Sequence, residues 1–162
     1  MKRKEKGEDM VITFCGHSDY DESEEDEKRL IKFLEETIQG KSVKFYLGGY
    51  GKFDAFALRC VKKYKEKNLK AEVLFITPYL GKWLEERKDV MEKEYDKILY
   101  PELENVPKKF AIAKRNEWMV KQADYIFAYV NTHHGGAYKT LLYAKKQKKP
   151  YINLYQGNYE LY

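Results

Sequence analysis

Three short glycine-bearing stretches could close a backbone around an anion: Gly16-His17-Ser18-Asp19, Gly48-Gly49-Tyr50-Gly51 and His134-Gly135-Gly136. Glycine has no Cβ, so the main-chain N–H groups beside it can approach a ligand oxygen closely. Each stretch precedes a helical pattern, and the first N–H groups of a helix are unpaired and carry partial positive charge. Arg115 adds a planar fork of donors suited to phosphate. Lys139 and Thr140, just after Gly136, suit contact with phosphate or ribose. Each feature also has an ordinary structural use, since glycines end strands and arginines pair with acids. Three such turns at one sheet edge argue for a shared crevice.

Asp54 follows the second turn and either accepts ribose hydroxyls or caps the helix that starts there. His17, His133 and His134 are the only histidines, and no cysteine lies at ligand spacing beside them, so no zinc site is expected and no cofactor is implied. His17 and His134 can donate to a phosphate or act in acid–base chemistry. Asn116 stands beside Arg115, and Glu117 follows it. Tyr79 and Trp83 are candidates to stack on a base, with core or lid packing as the alternative. The phosphate-binding pattern Gly-x-x-x-x-Gly-Lys-Ser/Thr is missing. Cys15 beside His17 hints at a thiolate pair, but neighbouring side chains leaving a strand point apart.

The elements that must position these residues follow from five apolar runs: Val11–Cys15, Val43–Leu47, Val73–Ile76, Tyr125–Val130 and Tyr151–Leu154. Each has strand length and is rich in β-branched or aromatic residues, without the alternation of a half-exposed sheet. Helical stripes separate them, on Leu30, Phe33, Leu34 and Ile38, on Phe53, Phe56, Cys60 and Tyr64, on Ile112, Trp118 and Met119, and on Tyr138, Leu141 and Leu142. Ser23 with Asp26 resembles a capping box, and Gly40 stops that helix. The alternation predicts a single α/β Rossmann-like three-layer sandwich with a five-stranded, mainly parallel sheet. Ligands of such sheets sit outside the carboxyl ends of the strands. The stretch from Thr77 to Pro107 is irregular, with one short helix expected over Trp83–Tyr95 and a role as lid or pocket wall.

The 162 residues fit one compact domain, expected over 10–162 behind a flexible tail at 1–9. Two cysteines, Cys15 and Cys60, make no disulfide framework and read as reduced and buried, which suits the cytoplasm. No apolar run is long enough to span a membrane. A net charge of +5 is compatible with an anionic ligand but does not by itself argue for nucleic acid.

Taken together, Leu47-Gly48-Gly49-Tyr50-Gly51-Lys52-Phe53-Asp54, Arg115-Asn116-Glu117-Trp118-Met119-Val120 with Ala123-Asp124, and Gly135-Gly136-Ala137-Tyr138-Lys139-Thr140 with Tyr143-Ala144 resemble the SLOG superfamily. This Rossmann-like group joins the Smf/DprA proteins and the Lonely Guy phosphoribohydrolases, and the likeness is greatest to small YpsA-like members. It runs from about Met10 to Leu154.

The resemblance implies a nucleotide-derived small molecule at the strand ends: an ADP-ribose-like signal that is sensed, or a nucleoside monophosphate whose N-glycosidic bond is hydrolysed, with a deoxyribosyltransferase-like enzyme as the related alternative. It leaves a homodimer or higher oligomer open. DprA members handle single-stranded DNA, but the mild charge argues against nucleic acid here. Phosphoribohydrolases carry an arginine-lysine pair and then Gly-Gly-x-Gly-Thr-x-x-Glu. Arg115, Gly135 and Gly136 match, whereas Asn116 replaces the lysine and the glutamate is missing from Lys139-Thr140-Leu141-Leu142-Tyr143. An oxocarbenium-like transition state wants a carboxylate nearby. Glu117 and Asp54 are the stand-ins within reach of the motifs, so the resemblance carries binding further than turnover.

Overall fold

The computed structural model describes residues 8–155 and 158–160. Most of the tail expected at 1–9 lies outside them. Among the described residues seven strands form one sheet: β1 (Met10–Gly16), β2 (Val43–Leu47), β3 (Ala71–Ile76), β4 (Lys97–Leu99), β5 (Tyr125–Tyr129), β6 (Tyr151–Asn153) and β7 (Asn158–Glu160). Their order is β4-β3-β2-β1-β5-β6-β7. Every neighbouring pair is parallel except β6 with β7, which is antiparallel.

The expected five strands are therefore too few, since six run parallel and β7 adds an antiparallel edge. The unforeseen parallel strand is β4. It has three residues at the sheet margin, and its Thr77–Pro107 neighbourhood gives no long apolar run. The single helix expected over Trp83–Tyr95 is instead two short ones, α3 (Lys82–Glu85) and α4 (Lys88–Glu94).

Successive strand residues alternate between two cores, because side chains leave a strand on opposite faces. Ile12, Phe14, Phe45, Phe75 and Phe127 face α1 (Glu24–Ile38) and α2 (Gly51–Glu66). Val11, Cys15, Tyr46, Leu74, Ile126 and Ala128 face α5 (Ala111–Gln122) and α6 (Gly136–Lys146). Two covered faces explain why the strand runs do not alternate in hydropathy. Cys15 and Cys60 are both free and buried. Among the described residues no helix is long and apolar enough to cross a membrane.

Helix α1 starts with half of its expected capping box. Ser23 Oγ accepts the Asp26 N–H at 3.1 Å, but the Asp26 carboxylate turns away to accept the Tyr20 hydroxyl at 2.6 Å. The helix ends on Gln39 and Gly40, both in the left-handed region.

The chain builds outward from β1 to β2, β3 and β4, then crosses back to β5, β6 and β7. The reversal falls between β1 and β5, so the connections leaving those strands turn opposite ways and open a crevice at their carboxyl ends.

Candidate functional site

An open cleft of about 680 Å³ occupies that crevice, within the several-hundred-Å³ range of small-molecule sites. Its walls come from the ends of β1 and β5, the N-terminal turn of α2, α5 between Ile112 and Met119, and the start of α6.

The first turn supplies Gly16, His17 and Ser18. A Cβ on Gly16 would stand 2.2 Å from the Phe53 ring, so this glycine is required by the packing of α2 on β1. His17 Nε2 accepts the Asn131 N–H at 3.0 Å, which ties the β1 turn to the loop after β5 across the crevice. The Ser18 carbonyl accepts the Lys52 N–H at 3.0 Å, which ties it to the β2 turn as well. The first turn is therefore bonded both to the start of α2 and to the loop after β5 at one edge of the sheet.

Arg115 reaches the cleft from α5 and is only 3% exposed. Its Nη1 donates to the carbonyls of Gly48 at 3.0 Å and Ile76 at 2.8 Å, and its Nε donates to Asn116 Oδ1 at 3.0 Å. It thus clamps the ends of β2 and β3. Among the described residues Nη2 makes no hydrogen bond. Burial draws the guanidinium below its usual pKa, while nearby Asp54 opposes that shift.

Asp54, half-buried on α2, lines the same cleft. Its Oδ2 accepts the Tyr50 N–H at 3.0 Å, so it caps the helix through backbone four residues earlier. Burial pushes its carboxyl up to about 6, against the pull of the Tyr50 N–H and the Arg115 charge. Cys15 is pushed up to about 12, first by burial and then by Asp54, which disfavours a thiolate beside His17.

The third turn is the open one. Gly135 has φ +91°, a conformation that favours glycine, and it precedes α6 without a side-chain cap. A Cβ on Gly135 or Gly136 would meet nothing within 4 Å. His134, Gly135, Gly136 and Ala137 border the cleft, and the first N–H groups of α6 have no partner within the helix. The Thr140 hydroxyl is spent within the helix, donating to the Gly136 carbonyl at 2.9 Å.

Several expected site residues lie elsewhere. Gly48, Gly49 and Gly51 stand behind the wall, where Gly49 packs against Phe75 and Gly51 against Ser18. The Tyr79 hydroxyl donates to the Lys108 carbonyl at 2.9 Å, and its ring meets Trp83 edge-on outside the cleft. Lys139 is exposed beyond the lining, and Glu117 pairs with Lys114 at 3.2 Å instead of facing the cleft. Of the two stand-in carboxylates, only Asp54 is in place.

The cleft also uses residues that sequence reasoning passed over: Asp21, Tyr20, Tyr129, Ile112, Asn131 and Thr132. Asn131 and Thr132 follow a strand directly and could have been found by that rule. Ile112 carries the signal of a core residue, yet it is 44% exposed.

No protein-family model matches the chain, and no curated protein matches it. Solved structures do. DNA processing protein A from Helicobacter pylori, described for its single-stranded DNA binding mode, superposes with a TM-score of 0.59 at 16% identity, over 88% of this chain and 63% of that one. DNA processing protein A from Streptococcus pneumoniae gives 0.58 at 12%, over 88% and 49%. The Moco carrier protein of Chlamydomonas rheinhardtii gives 0.52 at 15%, over 92% and 77%. The chain thus spans 63% and 49% of the two DNA processing proteins. Identities this low speak for the fold alone, a Rossmann-like α/β fold that this chain shares with these proteins.

Proposed function

We propose that the cleft between β1 and β5 binds a phosphate-bearing nucleotide or nucleotide-sugar, of the nucleoside monophosphate or ADP-ribose type, in the cytoplasm. One observation carries the reading: the unpaired amides at the start of α6 and buried Arg115, whose Nη2 has no partner among the described residues, line the same open cleft. Helix-start amides and a guanidinium are the two protein groups best matched to phosphate oxygens. Isothermal titration with AMP and ADP-ribose tests it. Saturable heat at one site per chain supports the reading, and no heat with either compound overturns it.

Asp54 favours a second reading, hydrolysis of the N-glycosidic bond. It is the stand-in carboxylate placed in the cleft, and a carboxyl near 6 can act as acid or base close to neutrality. Chromatography of AMP after incubation decides between binding and turnover, since release of free adenine requires hydrolysis. The likeness to a single-stranded DNA binder makes an oligonucleotide the comparison ligand. If it binds more tightly than AMP and with a steep salt dependence, nucleic acid is the true partner.

A further inference from the structure

Exposed aromatics are common and usually mean nothing. Tyr50 differs in how it is held. It is 72% exposed at the cleft, yet its backbone sits on a fixed tripeptide. Gly49 and Gly51 flank it, both at positive φ, and a Cβ on them would come within 2.7 Å of Phe75 and Ser18 respectively. Its N–H is bound to Asp54. Among the described residues its ring packs on no other ring and its hydroxyl makes no hydrogen bond. A rigid turn therefore presents an unoccupied aromatic face at the cleft. The other nearby aromatics are engaged: Tyr20 and Tyr129 with each other, Tyr79 with Trp83, and Trp83 with the Arg87 guanidinium.

Ile112, on the first turn of α5, also lines the cleft and is also exposed. Two apolar groups from different elements are thus left open to water at one cavity. The strand order places the Tyr50 turn and the α6 start two strands apart, on β2 and β5 with β1 between. At the usual strand spacing that is roughly 10 Å, a span that a nucleotide bridges from phosphate to base.

We propose that Tyr50 and Ile112 form a slot for a flat heteroaromatic base, on the side of the cleft away from the α6 amides. This inference rests on the nucleotide reading given above and adds where the base lies and what holds it. Stacking on Tyr50 is indifferent to the identity of the base, because every base offers a π-face. The aliphatic Ile112 adds contact without hydrogen bonds, so this slot favours flatness over sequence or base type.

Titration of the full chain with AMP and with ribose 5-phosphate tests the slot. Tyr50→Ala should weaken AMP roughly fivefold or more while changing ribose 5-phosphate by less than about twofold, and Tyr50→Phe should keep AMP binding, since stacking needs the ring and not the hydroxyl. Ile112→Ser should shift AMP in the same direction by a smaller factor. Equal losses on both probes, or no loss of AMP, overturn the slot while leaving the anion site standing. Binding of neither probe to the unsubstituted chain overturns the anion site and the slot together. A change of sedimentation on Tyr50→Ala without a change in AMP affinity would make this rim a contact between copies, and that too overturns the slot.

Discussion

Arg115 donates to the Gly48 carbonyl at 3.0 Å, across 67 positions of sequence, and a Cβ on Gly48 would come 3.0 Å from the same guanidinium. Glycine at 48 is therefore what lets the arginine lie flat against the end of β2. Nη1 fixes the sheet edge, and Nη2 has no partner among the described residues while the residue lines the cleft. The structural role does not exhaust the side chain, because a guanidinium has five donors, and the proposed ligand role would use the rest.

Removing it should expose both roles. Arg115→Ala leaves the Gly48 and Ile76 carbonyls without their partner. Each unsatisfied buried acceptor costs about 1–3 kcal/mol, so a stability loss of about 2–4 kcal/mol is expected in urea titration. Arg115→Lys keeps the charge but not the fork, so it should recover part of the stability and little of the phosphate affinity, read by titration with AMP. Full affinity in the lysine variant would reduce the arginine to a strut.

The glycines divide into packed and open, and two substitutions should separate them. Gly16→Ala drives a methyl into the Phe53 ring and should destabilise by about 1–3 kcal/mol. Gly136→Val enters open space, so its thermal midpoint should stay close to that of the unsubstituted chain. The isopropyl group would nevertheless crowd the α6 amides, and AMP affinity should fall at least about tenfold if those amides hold phosphate. An unfolded Gly136→Val, or one that binds normally, contradicts this division.

Asp54 should couple stability and binding to pH. Its folded pKa, about 6, lies above the ordinary 3.8. The fold therefore prefers the protonated acid, and that preference is fully present below about pH 4 and lost as pH rises through 6. A shift of this size is about 3 kcal/mol unscreened, and solvent in the open cleft reduces it to roughly 1–2 kcal/mol. Asp54→Asn keeps an acceptor for the Tyr50 N–H and removes the charge. It should raise the thermal midpoint at pH 7.5 and flatten the profile between pH 4 and 7. The unsubstituted chain should also bind phosphate ligands more tightly as pH falls from 7.5 to 5.5, and the Asn variant should lose the part of that rise due to residue 54. An unchanged slope would remove Asp54 from the coupling.

The His17–Asn131 bond should act as a latch between two loops. In His17→Ala the Asn131 amide loses its partner, and its hydrogen exchange should accelerate while amides in β1 and β5 stay protected. Exchange at Asn131 no faster than before would show that the loop is held by other contacts.

Much of this was readable from residue types. Five strands and the long helices follow from apolar runs and their spacing, because a sheet buried on both faces and amphipathic helices impose different periods. β4 was not readable. Three residues, Lys97-Ile98-Leu99, carry too little pattern, and their pairing with β3 is decided by tertiary contact. At the site, Arg115, Asp54, His17 and the Gly135–Gly136 turn were legible because each follows or faces a strand end. Lys139 and Glu117 fall outside the lining because which side of a helix faces the cleft turns on a single residue, and one step moves a side chain by 100° around the axis. Tyr79 was misplaced because only the folded α3 neighbourhood reveals Trp83 and the Lys108 carbonyl as its partners.

The most direct test of the nucleotide cleft is an amide chemical-shift titration of the isotopically labelled chain with AMP. The largest shifts should fall on Gly135, Gly136 and Ala137, with Ser18 and Tyr50 moving in parallel and saturating at one shared dissociation constant. Shifts centred on β4 and α4, or none at millimolar AMP, would contradict the account.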